Sequence, residues 1–297
     1  MRAVDRPVIV GVDGSESSLR AVDWAADEAA LREVPLHVVY ASLWERYEQA
    51  VFPAAPGPSE QILNDVLVVA AAKRARQRVP GTDVTTEVVP EGPVSVLLGA
   101  ARKASVLVIG SRGRGGAAEL LLGSVGLAVA GRADGAVIVV RGDHANRTGP
   151  RSRERRRVVV GVPDKPADSV AVRFAFREAA RRGVPLEAVR AWCLPADEAT
   201  DHAPFTGEPV EVHRQRAVEA LETGLREPAG ELPGVEVRRR VVEGPARAAL
   251  LDASADAALL VVGARHHHGR FGPRIGRVTH AVLHHAACPV AVVPERG

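Results

Sequence analysis

The chain of 297 residues is poor in cysteine, methionine, lysine and aromatics: it has two cysteines, one methionine, three lysines and 3% Phe, Trp and Tyr. Cys193 and Cys288 cannot build a disulfide framework, which points to a reducing interior. Cys288 opens an apolar run and reads as a core residue rather than a ligand. So few aromatic rings leave little to stack against bases. No apolar run reaches the roughly 18 residues that a membrane helix needs. The start, MRAVDRPVIVGVDGS, has no secretory apolar segment ahead of its first strand. The expected location is the cytoplasm.

Positive charge is also scarcer than the net value of +3 suggests. Residues 142–157 hold six arginines against Asp143 and Glu154, a local +4, so the remainder of the chain sums to −1. The excess belongs to a linker and not to a domain face, and this argues against a nucleic-acid partner. Arginine outnumbers lysine 36 to 3 throughout, which is a compositional bias rather than a phosphate-binding pattern.

What the chain does contain is one unit written twice. A hydrophobic content of 46% with 25% charged residues is ordinary for an α/β protein, and the length suggests two cores. VIVGVDGSESSLRAVDWAADEAALREVPL (8–36) aligns without gaps on VVVGVPDKPADSVAVRFAFREAARRGVPL (158–186). Gly11 maps to Gly161, Glu28 to Glu178 and Pro35 to Pro185; later, Glu91-Gly92-Pro93 maps to Glu243-Gly244-Pro245 and Gly110 to Gly263. The expected organisation is a domain over 1–141, the Arg-rich linker 142–157 and a second domain over 158–297. Strands are expected at 8–12, 36–41, 84–89, 106–109 and 136–140, and again at 158–162, 186–191, 235–242, 258–262 and 289–293. Amphipathic stretches such as 17–32, 61–78 and 93–103 lie between them. Val/Ile-rich strands alternating with helices mean a doubly wound parallel sheet covered on both faces, with ligands beyond the carboxyl ends of the strands.

One such end carries GSRGRGGAAELLLGS (110–124). Gly110 and Gly113 are expected to take positive φ in a tight turn, and bare backbone N–H groups can converge on an anion. Gly123 and Ser124 open the next helical pattern, whose N–H groups point at the same spot, and the Ser124 hydroxyl offers a donor or a metal-ligand oxygen. Arg112 and Arg114 supply positive charge. The combination suits a polyphosphate, although turn-making glycines and a helix-capping serine would look the same. G-x-x-x-x-G-K-[ST] is absent, and GVDGS after the first strand is not G-x-G-x-x-G, so a P-loop ATPase and a dinucleotide dehydrogenase fit poorly.

The G-2x-G-9x-G-[ST] spacing at Gly110, Gly113, Gly123 and Ser124 resembles the ATP-binding signature of the universal stress protein family. VIVGVDGS (8–15) and ADGAVIVV (133–140) resemble that family's first and last strands, and the likeness covers nearly the whole chain as a tandem pair. The resemblance implies five parallel strands per domain in the order 3-2-1-4-5, with ATP and its Mg²⁺ across the ends of strands 1 and 4. It implies that Gly11, Val12 and Asp13 lie near the nucleoside and that Ala41, or backbone close to it at the end of strand 2, meets adenine. Gly110, Arg112, Gly113, Gly123, Ser124 and Val125 would surround ribose and phosphates. It also implies that the last strands, 136–140 and 289–293, pair across a two-fold axis between the copies; a homodimer is a further option.

The second copy departs from the pattern. Pro163, His266 and Arg277 replace Asp13, Gly113 and Ser124, while Gly263 and Gly276 remain. A carboxylate and a backbone donor are lost at Pro163. The expectation is an altered or empty second site and one ATP per chain, although Arg265, Arg277 and the histidines could still hold an anion. Six of the ten histidines lie between residues 266 and 285 of this copy, and His280 and His284 have chelating spacing, but no carboxylate or cysteine completes a ligand set. No serine has a base placed beside it by sequence, so no dedicated catalysis is indicated. Three readings remain: an ATP-binding stress-response regulator with an unknown protein partner, a low-turnover ATP hydrolase, and a dimeric scaffold indifferent to nucleotide.

Overall fold

A computed structural model describes residues 6–42, 58–112, 122–141, 157–166, 168–194, 210–265 and 275–295. The first half runs β1 (Val8–Val12), α1 (Glu16–Arg32), β2 (Leu36–Ala41), α2 (Pro58–Arg78), β3 (Val84–Val89), α3 (Pro93–Lys103), β4 (Val106–Gly110), α4 (Ser124–Ala130) and β5 (Val137–Val140). The second runs β6 (Arg157–Gly161), α5 (Val170–Arg182), β7 (Leu186–Trp192), α6 (Val210–Glu231), β8 (Val237–Glu243), α7 (Ala246–Ser254), β9 (Ala257–Arg265), α8 (Arg277–His285) and β10 (Val290–Glu295). The strand expectations hold to within a few residues. Arg157, read as the last linker residue, is the first residue of β6 and pairs with Glu187; the rest of the Arg-rich stretch lies outside the described residues.

All ten strands form one sheet in the order β3-β2-β1-β4-β5-β10-β9-β6-β7-β8. Each half therefore has the expected order 3-2-1-4-5, and pairing within each half is parallel. At the centre β5 and β10 run antiparallel, with Val290 opposite Val139 and Val292 opposite Val137. Two apolar edges that would otherwise invite association close on each other within the chain.

Helix starts follow their caps. Ser15 accepts from Ser18 N–H at 3.2 Å to open α1, and Ser169 accepts from Val172 N–H at 3.3 Å to open α5. Both helices end on a left-handed residue, Glu33 (φ 55°) and Gly183 (φ 61°), at equivalent positions of the repeat. The inner strands are buried on both faces, while the edge strands β3 and β8 are partly exposed. Val8, Val10, Val158 and Val160 face one core with α1, α2, α5 and α6, while Ile9, Leu107, Val159 and Leu260 face the other with α3, α4, α7 and α8. Each core runs without a break through both halves.

The halves also meet through side chains on both faces. Where α1 crosses α5, Arg32 donates to Glu28 and to Glu178, each at 2.6 Å, and Arg182 pairs with the same two carboxylates. Arg181 joins Glu178 at 2.9 Å. The guanidiniums of Arg32 and Arg182 lie over Phe174 (5.8 Å) and Trp24 (5.6 Å). Burial alone would raise the Glu178 carboxyl, but Arg182, Arg32 and Arg181 outweigh it and hold it below the usual carboxylate range. The cluster obeys the repeat: Glu28, Arg32 and Trp24 stand where Glu178, Arg182 and Phe174 stand in the other copy.

Candidate functional site

In the order β2-β1-β4 the carboxyl ends of β1 and β4 are neighbours, and the chain leaves them in opposite directions along the sheet: this is the crevice that open α/β sheets use for ligands. After β1, Gly14 takes φ 80°, and Asp13 Oδ1 accepts from Ser15 N–H at 3.0 Å, which folds the chain tightly into α1. The first turn of α1 then holds the end of β4. Ser15 Oγ donates to the Arg112 carbonyl at 3.3 Å, and Arg112 N–H donates to Ser17 Oγ at 3.2 Å. The buried hydroxyls of Ser17 and Ser111 are 3.4 Å apart. Gly123 N–H donates to the Ser111 carbonyl at 2.9 Å, so the two described ends of the glycine segment meet at one residue.

Cations border this point. Arg141, one residue past β5, has its guanidinium lowered from the usual arginine value, first by burial and then by the nearby charge of Arg112. Arg112 and Arg141 each follow directly on the Ser111–Val140 backbone hydrogen bond, so two positively charged residues belong to this end of the sheet.

The expected residues fall along this edge. Gly11 and Val12 end β1 opposite Val39 and Tyr40 of β2, with Ala41 the next residue of β2, and Asp13 is half-buried at the turn. Gly11 owes its lack of a side chain to packing: a Cβ there would lie 2.7 Å from Leu97 of α3. Gly110 does not take positive φ, contrary to expectation; it sits extended in β4. The physical need is close approach, since a Cβ on Gly110 would come within 2.8 Å of the Ser17 backbone. Among the described residues of the site the left-handed glycine is Gly14. Gly123 is the N-cap of α4 with φ −63° and ψ 151°, and no side-chain cap is present there, so Ser124 is the first helical residue, exposed, with Val125 half-buried behind it. Gly113, Arg114 and His266–His268 lie outside the described residues.

The second half builds the corresponding place differently. Gly263 ends the comparable part of β9, and a Cβ there would meet the Glu295 side chain at 2.9 Å rather than a helix backbone. Glu295 accepts from Ser169 Oγ (2.6 Å), Val170 N–H (2.9 Å) and Ala171 N–H (3.2 Å), so a carboxylate caps α5 where the first half has the Ser17–Ser111 hydroxyl pair. Pro294 takes the place of Arg141. The second half has therefore exchanged a guanidinium for a carboxylate at the end of its sheet. Cys288 is buried, and burial pushes its thiol up to about 12, as a core residue requires. His280 and His284 stack with ring centroids 4.4 Å apart.

Several contributors could not be picked out in advance. Ser15, Ser17 and Ser18 have a local signal as a helix start, and Ser111 sits inside the glycine segment. Glu295 and His284 have none, because their partners are 124 to 126 and 162 residues away.

Comparison with known proteins agrees with this architecture. The family model described as the universal stress protein family matches residues 6–141 and again 154–294. A universal stress protein of Mycobacterium tuberculosis is 37% identical over 97% of this chain and 97% of its own. The chain belongs to the universal stress protein family. The crystal structure of a universal stress protein from Archaeoglobus fulgidus shares the fold, with TM-score 0.67, 16% identity and 98% of each chain covered. A universal stress protein solved in complex with cAMP is 33% identical and spans 47% of this chain and 98% of its own, with TM-score 0.36. Among the described residues no helix is long and apolar enough to cross a membrane.

Proposed function

We propose that this is an ATP-binding regulatory protein of the stress response, with the nucleotide held in the first of its two domains (1–141 and 158–297, joined by 142–157). The observation that carries the reading is the meeting of Gly110–Arg112 with Gly123–Ser124 at Ser111, at the open end of β1 and β4 and next to two guanidiniums. The Gly123 and Arg112 N–H groups are committed to Ser111 and Ser17, so the donors offered to a polyphosphate are the first-turn N–H groups of α4 and the arginines. In this reading Gly11, Val12 and Asp13 contact the nucleoside and Ala41 contacts adenine. Gly110, Arg112, Gly113, Gly123, Ser124 and Val125 take the ribose and phosphates, and the Ser124 hydroxyl is an oxygen ligand for the accompanying Mg²⁺. Nucleotide occupancy stabilises one conformation for a protein partner, and the protein works in the cytoplasm.

Gly123→Leu tests the reading. The backbone at Gly123 has φ −63° and ψ 151°, which any residue adopts, so the variant carries no backbone strain there and is expected to lose the close approach of backbone to phosphate. Calorimetric titration with ATP and Mg²⁺ is expected to show at least a hundredfold weaker binding, about 2.8 kcal/mol. Unchanged affinity removes the glycine segment from the function.

A further inference from the structure

Behind the first-half site stands a residue of the other half. Leu122, the residue before Gly123, donates its N–H to His284 Nδ1 at 3.2 Å. Leu122 and His284 are both 7% exposed and the bond between them is buried, so losing the acceptor leaves a buried amide to be satisfied otherwise. Next to it Arg141 donates to the Leu283 carbonyl at 2.5 Å, which ties the end of β5 to the same helix, α8. The Leu122–Gly123 step is thus held on one side by Ser111 of its own half and on the other by His284 of the second half.

The mirror position shows that this is not a consequence of the repeat. The counterparts of Leu122 and His284 are Ile275 and Gly131. There a Cβ on Gly131 would lie 2.8 Å from Ile275, so the glycine admits an apolar side chain and offers no acceptor. Arg141 has Pro294 as its counterpart, which carries no guanidinium. Polar ties therefore run from the second half to the first-half segment, and apolar packing takes their place in the other direction.

We propose that His284 is a positioning residue for the nucleotide segment of the first half. The second half, through α8, then sets the geometry in which Gly123 and Ser124 meet phosphate. Nucleotide uptake and the pairing of the halves become linked, and by thermodynamic reciprocity each strengthens the other. The proposal rests on the ATP reading above for its ligand but not for its geometry. On this account the degenerate copy holds the competent site in shape and carries its occupancy across the β5–β10 junction.

The test compares three full-length proteins: wild type, His284→Leu, which fills the volume without an acceptor, and His284→Asn, whose amide oxygen can take the place of Nδ1. Two quantities are read: ATP–Mg²⁺ affinity by calorimetry, and hydrogen exchange of the Leu122 amide by NMR. His284→Leu is expected to weaken ATP about tenfold, about 1.4 kcal/mol, and to speed the exchange by a similar factor. His284→Asn is expected to keep both within about threefold of wild type, a rescue that a space-filling role would not give. Three indistinguishable proteins, or two equally impaired variants, overturn the proposal. If wild type itself takes up no ATP, the nucleotide reading falls and the Leu122 exchange alone decides: equal rates in all three overturn the positioning role, and fast exchange only in His284→Leu upholds it. Should His284→Leu not fold, His284→Ala makes the same deletion with less bulk.

Discussion

The ends of β4 and β9 occupy equivalent places in the repeat and differ in the groups packed against them. At β4 the neighbours are the hydroxyls of Ser17 and Ser111, the backbone of Arg112 and the guanidinium of Arg141. At β9 they are the carboxylate of Glu295, bound by three donors around the start of α5, and Pro294. Sheet order, helix placement and the glycine at the strand end are common to both. A fold of this kind preserves its sheet easily, because the sheet is core, while the chemistry at the strand ends changes by a few side chains.

The largest effect should separate the halves by affinity. Two lost phosphate contacts at about 1.5–3 kcal/mol each leave the second site weaker by roughly two to four powers of ten. Titration is then expected to saturate at one ATP per chain at micromolar nucleotide, and two equal sites would erase the contrast. Next is the junction, where the halves should behave alike. Val139 and Val292 are 0% and 1% exposed, and Val139→Asp or Val292→Asp buries an unpaired charge at a cost of about 3–5 kcal/mol. Chemical unfolding should register that loss for both, and little change in either would mean that the pairing contributes nothing.

A smaller difference should appear at the two strand-end glycines. Gly110→Ala drives a Cβ into the Ser17 backbone and should lower stability by about 2–3 kcal/mol, while Gly263→Ala meets only the Glu295 side chain and should cost about 1 kcal/mol. Equal losses in urea titrations would mean that the two contacts are equally stiff. The smallest effect is expected at the α5 cap. Glu295→Gln keeps one acceptor oxygen, for Ser169 Oγ and Ala171 N–H, but turns an amide nitrogen toward Val170 N–H and removes the charge that the helix dipole favours, about 1 kcal/mol. A larger loss in the same titration would show that the carboxylate holds Gly263 in place as well as capping.

Much of this architecture was legible in the chain. Valine-rich runs such as VIVGV and VVVGV read as strands because branched side chains suit a sheet buried on both faces, and they fall within a residue of β1 and β6. The glycine segment pointed to the right strand end. The reason assigned to Gly110 was incomplete, since a spacing of glycines does not distinguish a turn that needs positive φ from a strand end pressed against a helix. Ser17 fills that role, and only the crossing of α1 over β4 brings it there.

The repeat, the element order, the alternation that makes a parallel sheet and the apolar edges at β5 and β10 are all written in the order of residues. These are local matters of periodicity, propensity and composition, repeated in two copies that report on each other. Folding adds the rest: Arg32 meets Glu178 across 146 residues, Glu295 caps α5, and His284 reaches Leu122 across 162. Such contacts depend on the path of the whole chain. A side chain that holds a site from the other half has the same local signature as one that merely faces solvent, until the folded sheet brings the two halves together.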